Sequence, residues 1–146
     1  MIKFYRPRET FGIFSNFSRH SIELDGKSWP TTEHYFQAQK FAGTPQEELV
    51  RLCPSPKDAA DMGRDRKNPL RKDWESVKDN VMRKAVLQKV NTYPEMKELL
   101  INTGDELIVE DSPVDYYWGC GAAGTGKNML GTILMEIRDQ IKGTQT

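Results

Sequence analysis

The chain has 146 residues, 37% hydrophobic and 29% charged, an ordinary globular balance that excludes disorder over its body and any apolar run long enough to cross a bilayer. Its 21 basic and 21 acidic side chains cancel, so the whole-chain field gives no pull toward duplex nucleic acid or an anionic membrane. The length suits one hydrophobic core, so a single domain over residues 1–146 is expected, and the first ten residues, MIKFYRPRET, carry no apolar signal segment, which points to the cytoplasm.

In chain order, residues 3–5 and 21–24 read as short strands. Asp25-Gly26 is a turn signal that returns the second of them through residues 27–29 as a hairpin. Pro30 ends that strand, Thr31 or Thr32 can cap, and residues 33–41 keep helical spacing until Gly43. A second helix is expected over residues 46–52, closed by Pro54, and a third after Ser55-Pro56, ending near Gly63. Residues 64–73, RDRKNPLRKD, read as a polar basic loop that faces water, with Asn68-Pro69 as its turn. Capped by Asp73, the run Trp74, Val77, Val81, Ala85 and Gln88 predicts a helix to about Val90. Thr92 with Glu95 forms a capping-box pattern for a helix that Gly104 ends, and residues 106–110, ELIVE, are the expected central strand. A turn-rich stretch then leads to a helix over residues 128–141, with residues 143–146 as a frayed tail. These elements make an α+β fold, mainly helical, with short strand and hairpin pieces.

Cys53 and Cys120 form no CxxC pair and are expected as free thiols, and with two histidines a His-based zinc site is not expected. Residues 121–128, GAAGTGKN, reproduce the GxxxxGK core of a phosphate-binding loop. The position after the lysine is Asn128, which lacks the hydroxyl that holds magnesium, and only one helix follows, so a nucleoside-triphosphate site is disfavoured. What remains is a glycine-rich turn at a helix start, which either offers backbone N–H groups to a phosphate or sugar edge or merely needs positive φ.

More information lies in residues 29–41, WPTTEHYFQAQKF. On a helix Glu33, Phe36, Gln37 and Lys40 fall at i, i+3, i+4 and i+7, one face two turns long. Exposed to water, the stripe is a polar surface with a stray Phe. Inside a pocket, the carboxylate is a general acid or base and a desolvated lysine is a nucleophile toward a carbonyl or opened sugar. Trp74 reads as core or as a stacking platform for a base, and Asp115 as a turn former or a polar site residue.

Several segments together resemble the NADAR superfamily of YbiA-like N-glycosidases: Phe14-Ser-Asn-Phe17-Ser18, residues 29–41, Gly63-Arg64, and Asp115-Tyr-Tyr-Trp118-Gly-x-Gly121 with Gly126, Asn128 and Leu130-Gly131. Their order and spacing span residues 4–138. The resemblance implies cleavage of a base-ribose bond in phosphorylated ribosylamino-pyrimidine intermediates of riboflavin biosynthesis, releasing ribose 5-phosphate. It places the acidic, aromatic and second acidic site residues on Glu33, Trp74 and Asp115, and makes Lys40 a candidate for a Schiff base with the ribose carbon. Asn16, Phe17 and Trp118 join the substrate-binding set. Arg6, Arg64, Asn128 and the amides near Gly126 are candidate contacts for substrate, the arginines and amides for its phosphate. No cofactor or metal is expected, and no membrane partner. The competing readings are an ADP-ribosyl glycohydrolase acting on ADP-ribosylated guanine in nucleic acid, for which the basic loop argues and the neutral charge does not, and a module that only binds ADP-ribose or a related nucleotide.

Overall fold

The computed structural model describes residues 1–144. Its elements are β1 (Ile2–Phe4), a 3₁₀ turn (Gly12–Phe14), β2 (Ile22–Leu24), β3 (Lys27–Trp29), α1 (Thr32–Gln39), α2 (Pro45–Arg51), α3 (Pro56–Arg64), α4 (Trp74–Thr92), α5 (Pro94–Asn102), β4 (Ile108–Glu110) and α6 (Met129–Thr144). The mixed helical and strand class expected from the sequence is present. The chain divides into two units, one of residues 19–89 and one of residues 1–18 together with the chain from residue 90 onward.

In the unit of residues 19–89, β2 and β3 pair antiparallel with Ile22 opposite Trp29 and Leu24 opposite Lys27. Asp25 and Gly26 both take positive φ, 56° and 76°, the geometry of the tight turn their sequence predicts. Trp29 Nε1 donates to Leu24 O at 3.0 Å, and the Trp29 ring meets Tyr35 edge-on at 5.1 Å, which joins the hairpin to α1. Ile22, Trp29, Tyr35, Ala38, Phe41, Val50, Cys53, Ala59 and Ala85 form the core, and α1 packs against both α2 and α3. Residues 32–39 of α1 are buried on every side, although Thr32, Glu33, His34, Gln37 and Gln39 are polar. A helix enclosed all round is ordinarily apolar, so this polar content needs partners or a purpose.

In the other unit β1 runs parallel to β4, Ile2 opposite Ile108 and Phe4 opposite Glu110. The 106–110 segment is therefore not a central strand: it contributes three residues to a two-stranded sheet. Asn128 explains the limit. Its side-chain Oδ1 accepts from Glu110 N at 2.9 Å and its Nδ2 donates to Ile108 O at 2.8 Å, while Cys120 N donates to Glu110 O at 2.9 Å, so the edge of β4 away from β1 is occupied. Gly131 allows the approach, since a methyl group there would overlap Ile108 O and the Asn128 amide. Buried Arg138 of α6 donates to Thr103 Oγ1 and Glu106 O, both at 2.8 Å.

The expected capping box at Thr92 is not formed, because α4 continues through Thr92 and α5 opens on Pro94, with Tyr93 at the N-cap making no side-chain capping bond. Gly143 and Thr144 are helical rather than frayed, Thr144 Oγ1 donating to Ile141 O at 2.8 Å, and the rest of the expected tail, residues 145–146, lies outside the described residues. Among the described residues no helix is long and apolar enough to cross a membrane.

Candidate active site

Pro30 stops β3 and Thr31 caps α1, its hydroxyl accepting from the His34 amide at 3.1 Å. Glu33 thereby falls in the first turn, where unpaired helix N–H groups favour a carboxylate. One turn later Gln37 donates through Nε2 to Glu33 Oε1 at 2.8 Å, and Lys40 is the residue that closes the helix. The stripe of Glu33, Phe36, Gln37 and Lys40 is not a solvated face: Glu33 is 7% exposed and Gln37 3%.

Trp74, the first residue of α4, is buried, and its ring meets Phe36 edge-on at 5.2 Å. Lys40 Nζ lies 5.8 Å from the Phe36 centroid and 6.0 Å from the Trp74 centroid, and it donates to Gly63 O at 3.3 Å. Burial pushes the Lys40 amine down to about 8; the positive charges of Arg66, Arg64 and Lys78 act in the same direction, and the Glu33 carboxylate opposes them. A buried carboxylate and an amine that sheds its proton near neutral pH thus share one helix face beside an aromatic platform. That combination can stabilise positive charge on a sugar, transfer a proton and attack a carbonyl carbon.

Gly63 fixes the crossing of α1 and α3, since a methyl group there would overlap the Gln37 amide. Arg64, named from the sequence, ends α3 and is exposed. Arg66 and Lys78, which the sequence reading did not single out, both act on the Lys40 amine. Lys78 had a signal, being one turn beyond Trp74 on α4, whereas Arg66 had none beyond its place in a basic loop. His34, at the centre of the same helix, is a strut: its ring nitrogens meet Thr31 Oγ1 at 2.8 Å and Cys53 O at 2.9 Å, and burial pushes its pKa down. Both thiols are free, and burial pushes the pKa of each up, which makes them poor nucleophiles.

The remaining candidates belong to the other unit. Asp115 is a turn former there, its Oδ1 accepting from Tyr117 N at 2.9 Å and Trp118 N at 2.8 Å, while Oδ2 takes neither bond. Trp118 is half-buried and stands edge-on to Tyr117 at 4.9 Å. Asn16 is buried, Phe17 half-buried and Arg6 exposed. The glycine-rich loop does not present its amides as a phosphate cradle. Gly126 N donates to Cys120 O at 2.7 Å, Lys127 N to Tyr116 O at 2.8 Å, Asn128 N to Gly119 O at 3.1 Å and Met129 N to Tyr117 O at 2.9 Å. Those donors close the loop on itself, and Asn128, at φ 53°, uses both ends of its side-chain amide on β4. Gly126 and Asn128 line an open groove of about 390 Å³ with Lys3, Val109, Lys127 and Thr132.

Residues 3–142 match the NADAR domain family. N-glycosidase YbiA of Escherichia coli (strain K12) is 51% identical over 141 residues, covering 97% of this chain and 88% of that protein. The NMR structure of E. coli YbiA aligns with a TM-score of 0.91 at 50% identity, over 99% of this chain and 86% of that one. N-glycosidase Npun_R5314 of Nostoc punctiforme is 46% identical over 144 residues, 97% of this chain and 92% of that protein. The riboflavin biosynthesis protein PYRR, chloroplastic, of Zea mays is 42% identical over 159 residues, which include 99% of this chain and 26% of the maize protein. The fold and the motifs along its length agree, and the chain belongs to the NADAR domain family.

Proposed function

We propose that this N-glycosidase hydrolyses the base-ribose bond of phosphorylated ribosylamino-pyrimidine intermediates of riboflavin biosynthesis, with Glu33 and Lys40 as its central groups. The carrying observation is the shared face of α1, which holds the buried Glu33 carboxylate and the desolvated Lys40 amine, the amine 6.0 Å from the Trp74 ring centroid. The riboflavin names of relatives such as the maize protein support the substrate class. Breaking the C1–N bond leaves the electron pair on the base nitrogen and positive charge on the sugar, which a carboxylate at C1 stabilises. Glu33 takes that role, and Trp74 holds the flat base by stacking. The departing base nitrogen takes up a proton from water. Lys40 Nζ then bonds to C1, the C1–ring-oxygen bond breaks to give an imine as one amine proton passes to the ring oxygen and the other to water, and water hydrolyses the imine to ribose 5-phosphate and the free lysine.

Glu33→Gln keeps the side chain's shape and removes its charge. It is expected to lower kcat by about 10²-fold or more, and activity within a few-fold of the unaltered protein discards Glu33 as the key carboxylate. Borohydride added during turnover is expected to fix a ribose-phosphate mass on the peptide carrying Lys40; no adduct together with an active Lys40→Ala eliminates the covalent route. Because the reacting form is the free amine, kcat/KM should climb with pH and level off above about 8.

The nucleic-acid alternative draws on the basic loop, and the structure weakens that support. Arg66 donates to Gly63 O and to Arg64 O, and Arg71 grips Asp73 through Nε at 2.6 Å and a terminal nitrogen at 3.0 Å, so two of its cations already serve the protein. Release of free base from a ribosylamino-pyrimidine phosphate, but not from an ADP-ribosylated oligonucleotide, supports the pyrimidine reading; the opposite result replaces it.

A further inference from the structure

Residues 64–73 read in sequence as a water-facing loop, yet the folded chain ties them across the end of α1. Arg71 N donates to Lys40 O at 2.9 Å. The Arg66 guanidinium donates through a terminal nitrogen to Gly63 O and through Nε to Arg64 O, the latter at 3.1 Å. Gly63 O is also the acceptor for Lys40 Nζ. One carbonyl at the end of α3 therefore holds two basic groups. The guanidinium keeps its proton throughout the working pH range, and the amine does not have to.

We infer that Arg66 is a positioning residue for Lys40: anchored on the same carbonyl, it sets the place of the amine and puts a permanent positive charge beside it, which favours the uncharged, nucleophilic form. The inference rests on the reading of Lys40 as nucleophile given above. The charged groups acting on Lys40 are Glu33 from its own helix, Arg64 and Arg66 from the end of α3 and the loop beyond it, and Lys78 from α4. Among them Arg66 exerts the largest effect and Glu33 alone opposes it. If Arg66 served only to close the carbonyl end of α3, its loss would lower stability and leave the titration of Lys40 where it was.

The test follows Lys40 in the full-length protein without substrate, by the pH dependence of its modification with an amine-selective reagent, read by mass spectrometry of the peptide. In the unaltered protein the midpoint should lie near 8. In Arg66→Gln it should move up by about one unit, leaving roughly tenfold less free amine at neutral pH. Arg66→Lys keeps the charge and should restore most of the shift. The acid limb of the kcat/KM profile should move with the midpoint in each variant. An Arg66→Gln midpoint that stays with the unaltered protein, or an Arg66→Lys midpoint displaced as far as that of Arg66→Gln, overturns the inference. If Arg66→Gln does not fold, Arg66→Met, which keeps the stem and removes the charge, gives the same reading: its midpoint should rise likewise, and no rise overturns the inference. Failure of borohydride trapping removes the covalent route alone, since the Lys40 titration is read without any reaction.

Discussion

At position 63 two opposing effects can be weighed. Alanine inside a helix gains about 1 kcal/mol over glycine, whereas forcing a methyl group into a packed contact costs about 1–3 kcal/mol. The contact is with Gln37, which is buried and tied to Glu33, so it cannot swing aside without releasing the carboxylate. Gly63→Ala should therefore come out less stable by about 1 kcal/mol in urea unfolding and lose activity beyond that deficit; a more stable and fully active variant would show that the crossing is loose. The stripe of Glu33, Phe36, Gln37 and Lys40 was legible because helical spacing is a local property of sequence. That it is buried was not, because burial depends on α2 and α3 arriving from elsewhere in the chain. Arg66 was illegible for the same reason: nothing in RDRKNPLRKD shows that one arginine turns back to the carbonyl of Gly63.

The glycine-rich segment shows how an element can carry a familiar pattern with another purpose. Its glycines and Asn128 permit left-handed backbone and close approach, and the N–H groups that a phosphate loop would aim outward are donated to carbonyls of residues 116–121. Asn128 then substitutes for a missing strand neighbour along β4. Asn128→Ala removes both bonds and puts at φ 53° a residue that tolerates left-handed backbone less well than asparagine, which together should cost about 2–4 kcal/mol. Asn128→Gly loses the same bonds without the strain and should be the milder of the two in thermal melts; equal losses would locate the whole effect in hydrogen bonding. The sequence supplied the turn and the start of α6, but not the identity of the strand that the turn serves. Central strands and short paired ones look alike in a short stretch such as ELIVE, with three apolar residues between two glutamates, and here the limit was set by a side chain 18 positions from Glu110.

On the scale of the whole molecule, the shifted groups set a common direction for stability against pH. His34, Asp25, Asp73 and Asp105 are held below their usual values, as is Glu48 at about 2, so the folded state binds protons less readily than the unfolded chain and weakens as acid is added. Lys40 at about 8 and Lys89 at about 7 are lowered as well, chiefly by burial, and their contribution appears as pH rises toward the unfolded lysine value. Tyr35 and Cys53 are raised, so what they contribute is lost in strong alkali. The thermal midpoint should climb from pH ~6 to ~9 and fall beyond ~10, and a flat or declining trend over the first interval would contradict the burial of the two lysines. The α+β class and most helices could be read in advance from spacing and caps; the parallel partnership of β1 with β4 could not, because no local signal links residue 2 to residue 108.

That partnership also governs the order in which the protein can be completed during its synthesis. On the ribosome β1 must wait for β4, with Met1 and Glu106, 105 positions apart, meeting in an ion pair at the same place. At about 5–20 residues per second the delay is on the order of ten seconds, during which β1 has its backbone edge uncovered while residues 19–89 are already available to fold.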